Sequence, residues 1–252
     1  MKGNQLLITT SVIAATLLTS SLPSWSSDRN YHGHVELGAS VTTGNSETVS
    51  ARTGINVEQE FTEWRTEYVV DAFYQRSQFE NDEGEKQQET TEQQVFLSYQ
   101  GNYKLEDENK SFFILGKFDD DRFGGYKYQT TLAFGYGWRF FEDQDTIIDF
   151  EIGPGYLWSE LNDGDERQGT IFHGSFEYEQ KFTSATRFRQ EIVTDASFTG
   201  GNSKTQFNSS FIADINGRLA MKIGFMLEYN TKPDDDIKSV DTETSITLVY
   251  SF

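Results

Sequence analysis

Apolar and polar residues alternate along most of this chain, and the segment that ends at Phe252 shows the pattern most plainly. Ile246, Leu248 and Tyr250 share one face with Phe252, whereas acidic and hydroxyl side chains occupy most of the other. Successive side chains of a strand point to opposite faces. Val240–Phe252 is therefore predicted to be a strand with one apolar and one polar side. Such a strand, ending in an aromatic residue, is typical of an outer-membrane barrel, where aromatic side chains lie at the lipid boundary.

The same alternation predicts further strands along the chain, and most of them exceed the roughly five or six residues usual in globular proteins. A tilted membrane strand needs about ten residues within the bilayer. Length and number therefore predict an all-β fold, an antiparallel transmembrane β-barrel of about 12 strands. The predicted strands are Tyr31–Thr42, Thr48–Phe61, Arg65–Phe79, Glu92–Leu105, Lys110–Phe118, Tyr126–Phe141, Thr146–Glu160, Thr170–Phe182, Arg187–Thr199, Thr205–Asn216, Leu219–Thr231 and Val240–Phe252.

Short and longer connections alternate between these strands. Residues 62–64 and 106–109 are short turns, whereas residues 80–91 and 161–169 are predicted to be longer loops. Outer-membrane barrels have short periplasmic turns and longer external loops, and an even strand number returns both termini to the periplasm. We therefore expect one barrel domain over residues 28–252, integral to the bacterial outer membrane, with both ends in the periplasm.

The first 26 residues are predicted to be a secretory signal peptide. Lys2 precedes an apolar run, and small residues stand near Ser26 where cleavage is expected. The chain contains no cysteine, so disulfides do not stabilise the exported fold. A mean hydropathy of -0.60 is polar for a membrane protein, but the average is misleading for a barrel, because only alternate residues face lipid.

The formal net charge of -19 argues against nucleic acid as a partner. The expected partners are outer-membrane lipid and lipopolysaccharide, cations or small solutes, and the barrel-assembly machinery. Tyr250 and Phe252 form the assembly signal that this machinery would read.

At several points the chain resembles the family of salt-induced outer-membrane proteins, a domain of unknown function. The resemblance implies a barrel fold and an outer-membrane location, and it brings no established activity and no catalytic residues. It is carried by the segments Gly38–Ser46, Asp120–Phe123, Gly135–Trp138, Gly153–Tyr156, Asn230–Pro233 and Leu248–Phe252.

Strand parity predicts a polar interior that is rich in charge. Carboxylates outnumber arginines among the inward positions, so neutralisation would need Lys104, Lys117 and Lys222. The predicted lumen-lining residues are Glu36, Arg52, Asp71, Arg139, Asp149, Glu151, Glu177, Arg189, Glu191, Asp195, Asp214 and Glu228.

Two interpretations of this interior remain open. Arginine–carboxylate pairs could brace and fill the barrel, or an acidic lining could form a narrow channel that is nonspecific or prefers cations. About 12 strands lie between filled eight-stranded barrels and open sixteen-stranded porins, so the strand number does not decide. Glycines at 135, 137, 153 and 155 are expected to allow a bulky neighbour or sharp curvature, and Pro154 predicts a bulge.

A lipid-active hydrolase is the alternative function, and a purely structural or surface-binding barrel is a third. His173 and Ser175 lie on one strand face, but that face also carries Glu177 and is predicted to point inward, away from lipid. Polar lining is the simpler interpretation. His32 and His34 lack a third ligand for a transition metal. We predict no catalytic residues, no cofactor and no metal site.

Overall fold

The structure is a computed structural model that describes residues 31–42, 47–80, 86–121, 123, 126–162, 164–199, 201–232 and 239–252. The predicted signal peptide lies outside these residues. In the described part of the chain, twelve strands form one closed antiparallel barrel, which confirms the predicted fold class. Nowhere in that part does a helix have the length and apolar composition needed to cross a bilayer.

Each strand pairs with the next in sequence, and β12 pairs with β1 to close the barrel. We call the end that holds Tyr31 and Phe252 the terminal end, and the opposite end the loop end. The strands are β1 Tyr31–Thr42, β2 Glu47–Glu60, β3 Trp64–Glu80, β4 Lys86–Lys104, β5 Lys110–Asp121, β6 Tyr128–Glu142, β7 Thr146–Glu160, β8 Glu166–Thr183, β9 Thr186–Ser197, β10 Lys204–Asn216, β11 Leu219–Asn230 and β12 Val240–Ser251.

The predicted loops 80–91 and 161–169 are shorter than expected, because β4 and β8 begin within them. β4 begins at Lys86 rather than Glu92, and pairing with β3 extends to Glu80. Side-chain hydrogen bonds, such as Gln88 to Gln78 at 3.0 Å, connect the two strands of this extension. The extension is polar on both faces, so it lacks the alternation that predicts a membrane strand.

Large apolar side chains cover the exterior, and the interior is mainly polar. Leu37, Phe134 and Leu248 are each at least half exposed on the outer surface. Inside, buried apolar side chains form two small clusters, Phe113 with Leu115 and Ala133, and Ile212 with Ala220 and Val249. An apolar exterior around a polar interior is the arrangement of a barrel in contact with lipid.

Two glycines bring β6 and β7 into close contact. A Cβ at Gly135 would lie 2.1 Å from the Ile152 carbonyl oxygen, and one at Gly153 would lie 2.0 Å from that of Phe134. The predicted bulge at Pro154 is wrong, because pairing keeps one register on both sides of it. The glycines already permit the close approach without an inserted residue. The register of this strand pair shifts near Arg139 instead.

Candidate functional site

A chamber of about 610 Å³ occupies the loop end of the barrel interior. Apolar side chains such as Phe73, Phe123 and Met226 form part of its wall. Carboxylates outnumber cationic groups among the described residues that line it, so the chamber has an acidic lining. The acidic residues of the lining are Glu92, Asp121, Glu228, Asp241 and Glu243, and the cationic residues are Arg167 and Lys232.

The floor of the chamber is a cluster of four side chains that crosses the interior. The Lys204 ammonium, on β10, donates a 2.8 Å hydrogen bond to the Tyr126 hydroxyl and lies 2.9 Å from Glu228. Tyr126 donates in turn to Asp119, at 3.1 Å. Tyr126 belongs to the connection between β5 and β6, not to β6 as the sequence predicted. This connection therefore places a buried aromatic side chain across the interior.

The environment of Tyr126 favours the neutral phenol. Burial raises the pKa of its hydroxyl well above the ordinary value, and the nearby Asp119 and Glu228 carboxylates raise it further. Lys204 acts in the opposite direction, but burial is the largest influence. The phenol therefore keeps the proton that it donates to Asp119.

A second cluster crosses the barrel directly beside the first. The Lys117 ammonium, on β5, lies 2.5 Å from one oxygen of Asp195, on β9, and His173 Nδ1 lies 2.6 Å from the other. The His173 ring is fully buried and meets Phe113 edge to face at 5.8 Å. Lys117 and Asp195 are on strands that do not pair, so their contact spans the interior.

Between the two clusters remains a cavity of about 30 Å³, lined by both lysines together with Asp119 and Asp195. A cavity of this volume holds only one or two water molecules. We call the two clusters together the charged belt; it comprises Lys117, Asp119, Tyr126, His173, Asp195, Lys204 and Glu228. The belt narrows this side of the interior below the chamber.

Neutral groups, rather than a cation, hold the Glu151 carboxylate. Gln100 and Asn102 donate to it at 2.7 and 3.0 Å, and Ser175 Oγ lies 3.5 Å away. Ser175 thus contacts Glu151, whereas His173 contacts Asp195, so the proposed nucleophile and base have different partners. This geometry favours the interpretation of both residues as interior polar lining.

Ion pairs brace the interior toward the terminal end. Arg139 forms a two-pronged contact with Asp149, at 2.9 and 2.8 Å, and Arg189 contacts Glu177 at 2.9 Å. Of the remaining predicted positions here, Glu191 accepts a hydrogen bond from Asn208 at 3.2 Å, and Asp214 lies 4.0 Å from Arg187.

Two more ion pairs connect strands on either side of the junction between β1 and β12. Lys222, on β11, contacts Glu36, on β1, at 2.8 Å. Arg52, on β2, contacts Glu243, on β12. Asp71 packs over Gly54, where a Cβ would lie 2.8 Å from its Oδ1. Each of these contacts is made on the inward side of the strands.

Two of the three lysines named from the sequence pair with predicted lumen-lining carboxylates, and Lys204, which was not named, pairs with Glu228. Lys117 and Lys222 pair with Asp195 and Glu36, whereas Lys104 pairs with Glu60 at the terminal end. Sequence reasoning missed Lys204, although its parity on β10 could have identified it. It also missed Tyr126, whose position in a connection carries no parity signal. In the described residues, no group of three or more His, Asp or Glu side chains is arranged to hold a metal ion.

Comparison with solved structures agrees with this architecture. The chain is similar to the COG4313 outer membrane channel from Pseudomonas putida F1, with a TM-score of 0.51 and 9% identity over 90% of this chain and 99% of that one. It is similar to the NanC porin, with a TM-score of 0.50 and 9% identity over 86% and 98%. The fold therefore matches bacterial outer-membrane barrels and has channel-like neighbours. The family model described as "Protein of unknown function, DUF481" matches residues 35–252, and the chain belongs to this family.

One curated relative is the uncharacterized protein YdiY of Escherichia coli (strain K12). It is 27% identical over 133 residues, which are 52% of this chain and 51% of the relative. The matched segment thus spans about half the length of each protein.

Proposed function

We propose that this protein is a narrow passive channel of the bacterial outer membrane that prefers cations. The observation that carries the proposal is the acidic chamber at the loop end, which lies directly above the charged belt. A cleft that has low-dielectric walls and is lined by charges of one sign concentrates their electric field. The carboxylates of the chamber therefore raise the local concentration of cations.

The belt supports a small passage rather than an open pore. Its lysines pair with Asp195, Asp119 and Glu228, so the belt adds little net charge of its own. Selectivity would therefore arise from the chamber and from Glu151, which accepts hydrogen bonds from the neutral side chains of Gln100 and Asn102. The ion pairs that brace the interior would also set the width of the passage, so bracing does not exclude permeation.

The zero-current potential across a planar bilayer that holds a KCl gradient tests this proposal. We expect a potential of the sign set by K⁺ permeation, and we expect Glu151→Gln to move it toward zero. Glu63→Gln, in the exposed turn between β2 and β3, is the matched control and should leave it unchanged. A potential of the sign set by Cl⁻, or equal effects of the two substitutions, would contradict a cation-preferring interior.

The proposal includes an orientation and an assembly route. Residues 1–26 would be removed on export, the assembly machinery would read Phe252, and the terminal end would face the periplasm. The connections that would be external carry acidic residues, such as Asp82 with Glu83 and Asp234 to Asp236, and these would meet the lipopolysaccharide through divalent cations. An epitope inserted within residues 81–85 should be accessible to antibody on intact cells, and one fused after Phe252 should not. The opposite result would reverse the orientation.

A link to salt or osmotic stress is the physiological part of the proposal. It is supported by the sequence resemblance and by the net charge of -19. Deletion of the gene in its native host should slow growth in high-salt medium, and a plasmid copy should restore it. Equal growth of the wild-type and deletion strains across salt concentrations would contradict the link to salt stress and would not affect the channel proposal.

A further inference from the structure

The barrel is closed by a short ladder between β1 and β12. In the described residues, the ladder runs from His34–Ser251 to Gly38–Thr247, and Gly33 and Phe252 exchange backbone hydrogen bonds at its terminal end. Both strands continue beyond this point toward the loop end, β1 to Thr42 and β12 from Val240. There each of them keeps its pairing with the other neighbour, β2 or β11. The wall therefore has an unpaired strip, which we call the upper seam, between residues 39–42 and 240–246.

The chamber reaches the upper seam. Four consecutive residues of β12, Asp241 to Glu243 and Thr244, line it. Alternate residues of a strand face opposite sides of a sheet, so the side chains of Asp241 and Glu243 point toward the chamber. Because Thr242 and Thr244 line it as well, the chamber extends along β12 beside the upper seam.

The unpaired edge of β12 must be in contact with water. Backbone N–H and C=O groups without a partner are not tolerated in hydrocarbon, but they are tolerated where they line a water-filled cavity. The free edge of β12 faces β1, across which no ladder pairs are formed above Gly38 and Thr247. Water from the chamber would hydrate it, and separation of the two strands there would connect the chamber with the outer surface.

The outer surface beside the upper seam carries small and aliphatic side chains. Ala39, Thr242 and Thr244 are exposed there together with Val240 and Ile246, whereas the exterior of β6 carries large aromatic groups such as Phe134. Inside, the Arg52–Glu243 pair reaches from β2 across β1 to β12 above the ladder. Gly38, which is opposite Arg52, has no side chain to block this contact.

The geometry points to a lateral opening at the upper seam, through which small amphiphiles with a cationic head group pass between the membrane and the chamber. The carboxylates of the chamber would bind the head, while Phe73, Phe123 and Met226 would contact the tail. The Arg52–Glu243 ion pair would hold the opening closed until it separates. The inference rests on the proposed function in so far as it treats the chamber as part of a permeation path.

The absence of cysteine from the chain allows a crosslinking test. Met226→Cys places one thiol in the chamber, and N-dodecylmaleimide dissolved in the bilayer is the probe. A disulfide formed in the double variant Ala39→Cys with Ile246→Cys joins β1 to β12 across the upper seam, because these positions continue the register of the ladder. Leu37→Cys with Leu248→Cys is the matched control, since this pair lies on the same outer face within the ladder. Heat-dependent gel mobility confirms that each variant is folded.

We expect N-dodecylmaleimide to label Met226→Cys in proteoliposomes, and the oxidised upper tether to reduce the labelling severalfold. The control tether should have no effect, and reduction of the disulfide should restore labelling. Decyltrimethylammonium should protect the thiol, and decyl sulfate should not. Equal labelling with both tethers would overturn the lateral opening, as would labelling only by a water-soluble sulfonated maleimide.

Conductance of the same samples separates the two proposals. We expect the upper tether to leave ion conductance unchanged, because ions enter the chamber from its loop end. If the upper tether reduces labelling but the barrel does not conduct, the channel proposal is contradicted and the lateral opening is supported. If the barrel conducts but the tether does not affect labelling, the channel is supported and the lateral opening is contradicted.

Discussion

The ring of Phe252 occupies the space that a side chain at Gly33 would fill. A Cβ at Gly33 would lie 2.5 Å from the Phe252 Cζ, and the two residues exchange backbone hydrogen bonds of 2.9 and 3.3 Å. The last residue of the chain thus completes the junction of β1 with β12 at the terminal end. The terminal aromatic residue therefore has a structural role in the folded barrel, in addition to the proposed role in assembly.

Gly33→Val should destabilise this junction. The valine side chain would displace the Phe252 ring, and overpacking of this kind costs about 1–3 kcal/mol. The midpoint of urea unfolding, followed by gel mobility, measures the effect. Gly217→Val is the control, because a Cβ at Gly217 meets no atom within 4 Å. If the two substitutions shifted the midpoint equally, the packing of Phe252 on Gly33 would not contribute to stability.

The close contact between β6 and β7 should tolerate an added side chain even less than the junction at Gly33 does. Gly135→Ala would force a methyl group against the Ile152 carbonyl oxygen, and backbone atoms cannot rotate away as the end of a side chain can. We expect a loss of about 3 kcal/mol or failure to fold. Gly116→Ala, where the nearest atom is a Leu132 methyl at 3.5 Å, should fold normally. Normal refolding of Gly135→Ala into liposomes would show that the strands can separate there.

Removal of one partner from the buried pair across the belt should be costly. Lys117→Met removes the ammonium group from Asp195 and leaves its contact with His173, and breaking a buried ion pair costs about 3–5 kcal/mol. The double variant Lys117→Met with Asp195→Leu should regain most of this loss, because neither charge remains. Unfolding free energies of the single and double variants form the measurement. Additive losses in the double variant would show that the two residues do not interact.

The buried phenol predicts a loss of stability at alkaline pH. The pKa of Tyr126 is raised in the folded state, so the unfolded chain releases this proton first as pH rises above about 10. Its contribution is therefore fully present below the ordinary tyrosine pKa and is lost as pH increases beyond it. Between about pH 9 and 11, the melting temperature of wild type should fall more steeply than that of Tyr126→Phe.

Tyr31→Phe, which removes an exposed hydroxyl, is the control for the eleven other tyrosines and should keep the wild-type slope. Identical slopes in wild type and Tyr126→Phe would mean that the phenol of Tyr126 is not held in the neutral form by the fold.

Sequence periodicity predicted the wall of this barrel well, because the alternation of lipid and water exposure is imposed residue by residue. The bounds of β1 and β7 agree with the predicted ones, and the inward parity of Glu36, Asp195 and Glu228 places them where they find partners across the interior. The length of β4 could not be predicted, since its polar extension has no lipid face.

The partners themselves could not be predicted either. Lys117 and Asp195 are on non-neighbouring strands, and their contact depends on the diameter of the barrel and on how far each side chain reaches. Tyr126 enters the interior from a connection, where neither parity nor period applies. The short ladder between β1 and β12 depends on where pairing stops, and the sequence pattern of both strands continues beyond that point.

The central claim is that the charged belt, together with the ion pairs toward the terminal end, leaves only a small passage through the barrel. The unitary conductance of the purified protein in planar bilayers tests it most directly. We predict discrete steps well below those of a wide porin, with wild-type protein that shows heat-dependent gel mobility. Folded protein that gives no steps at any voltage would contradict the claim, and so would the large steps of an open, water-filled pore.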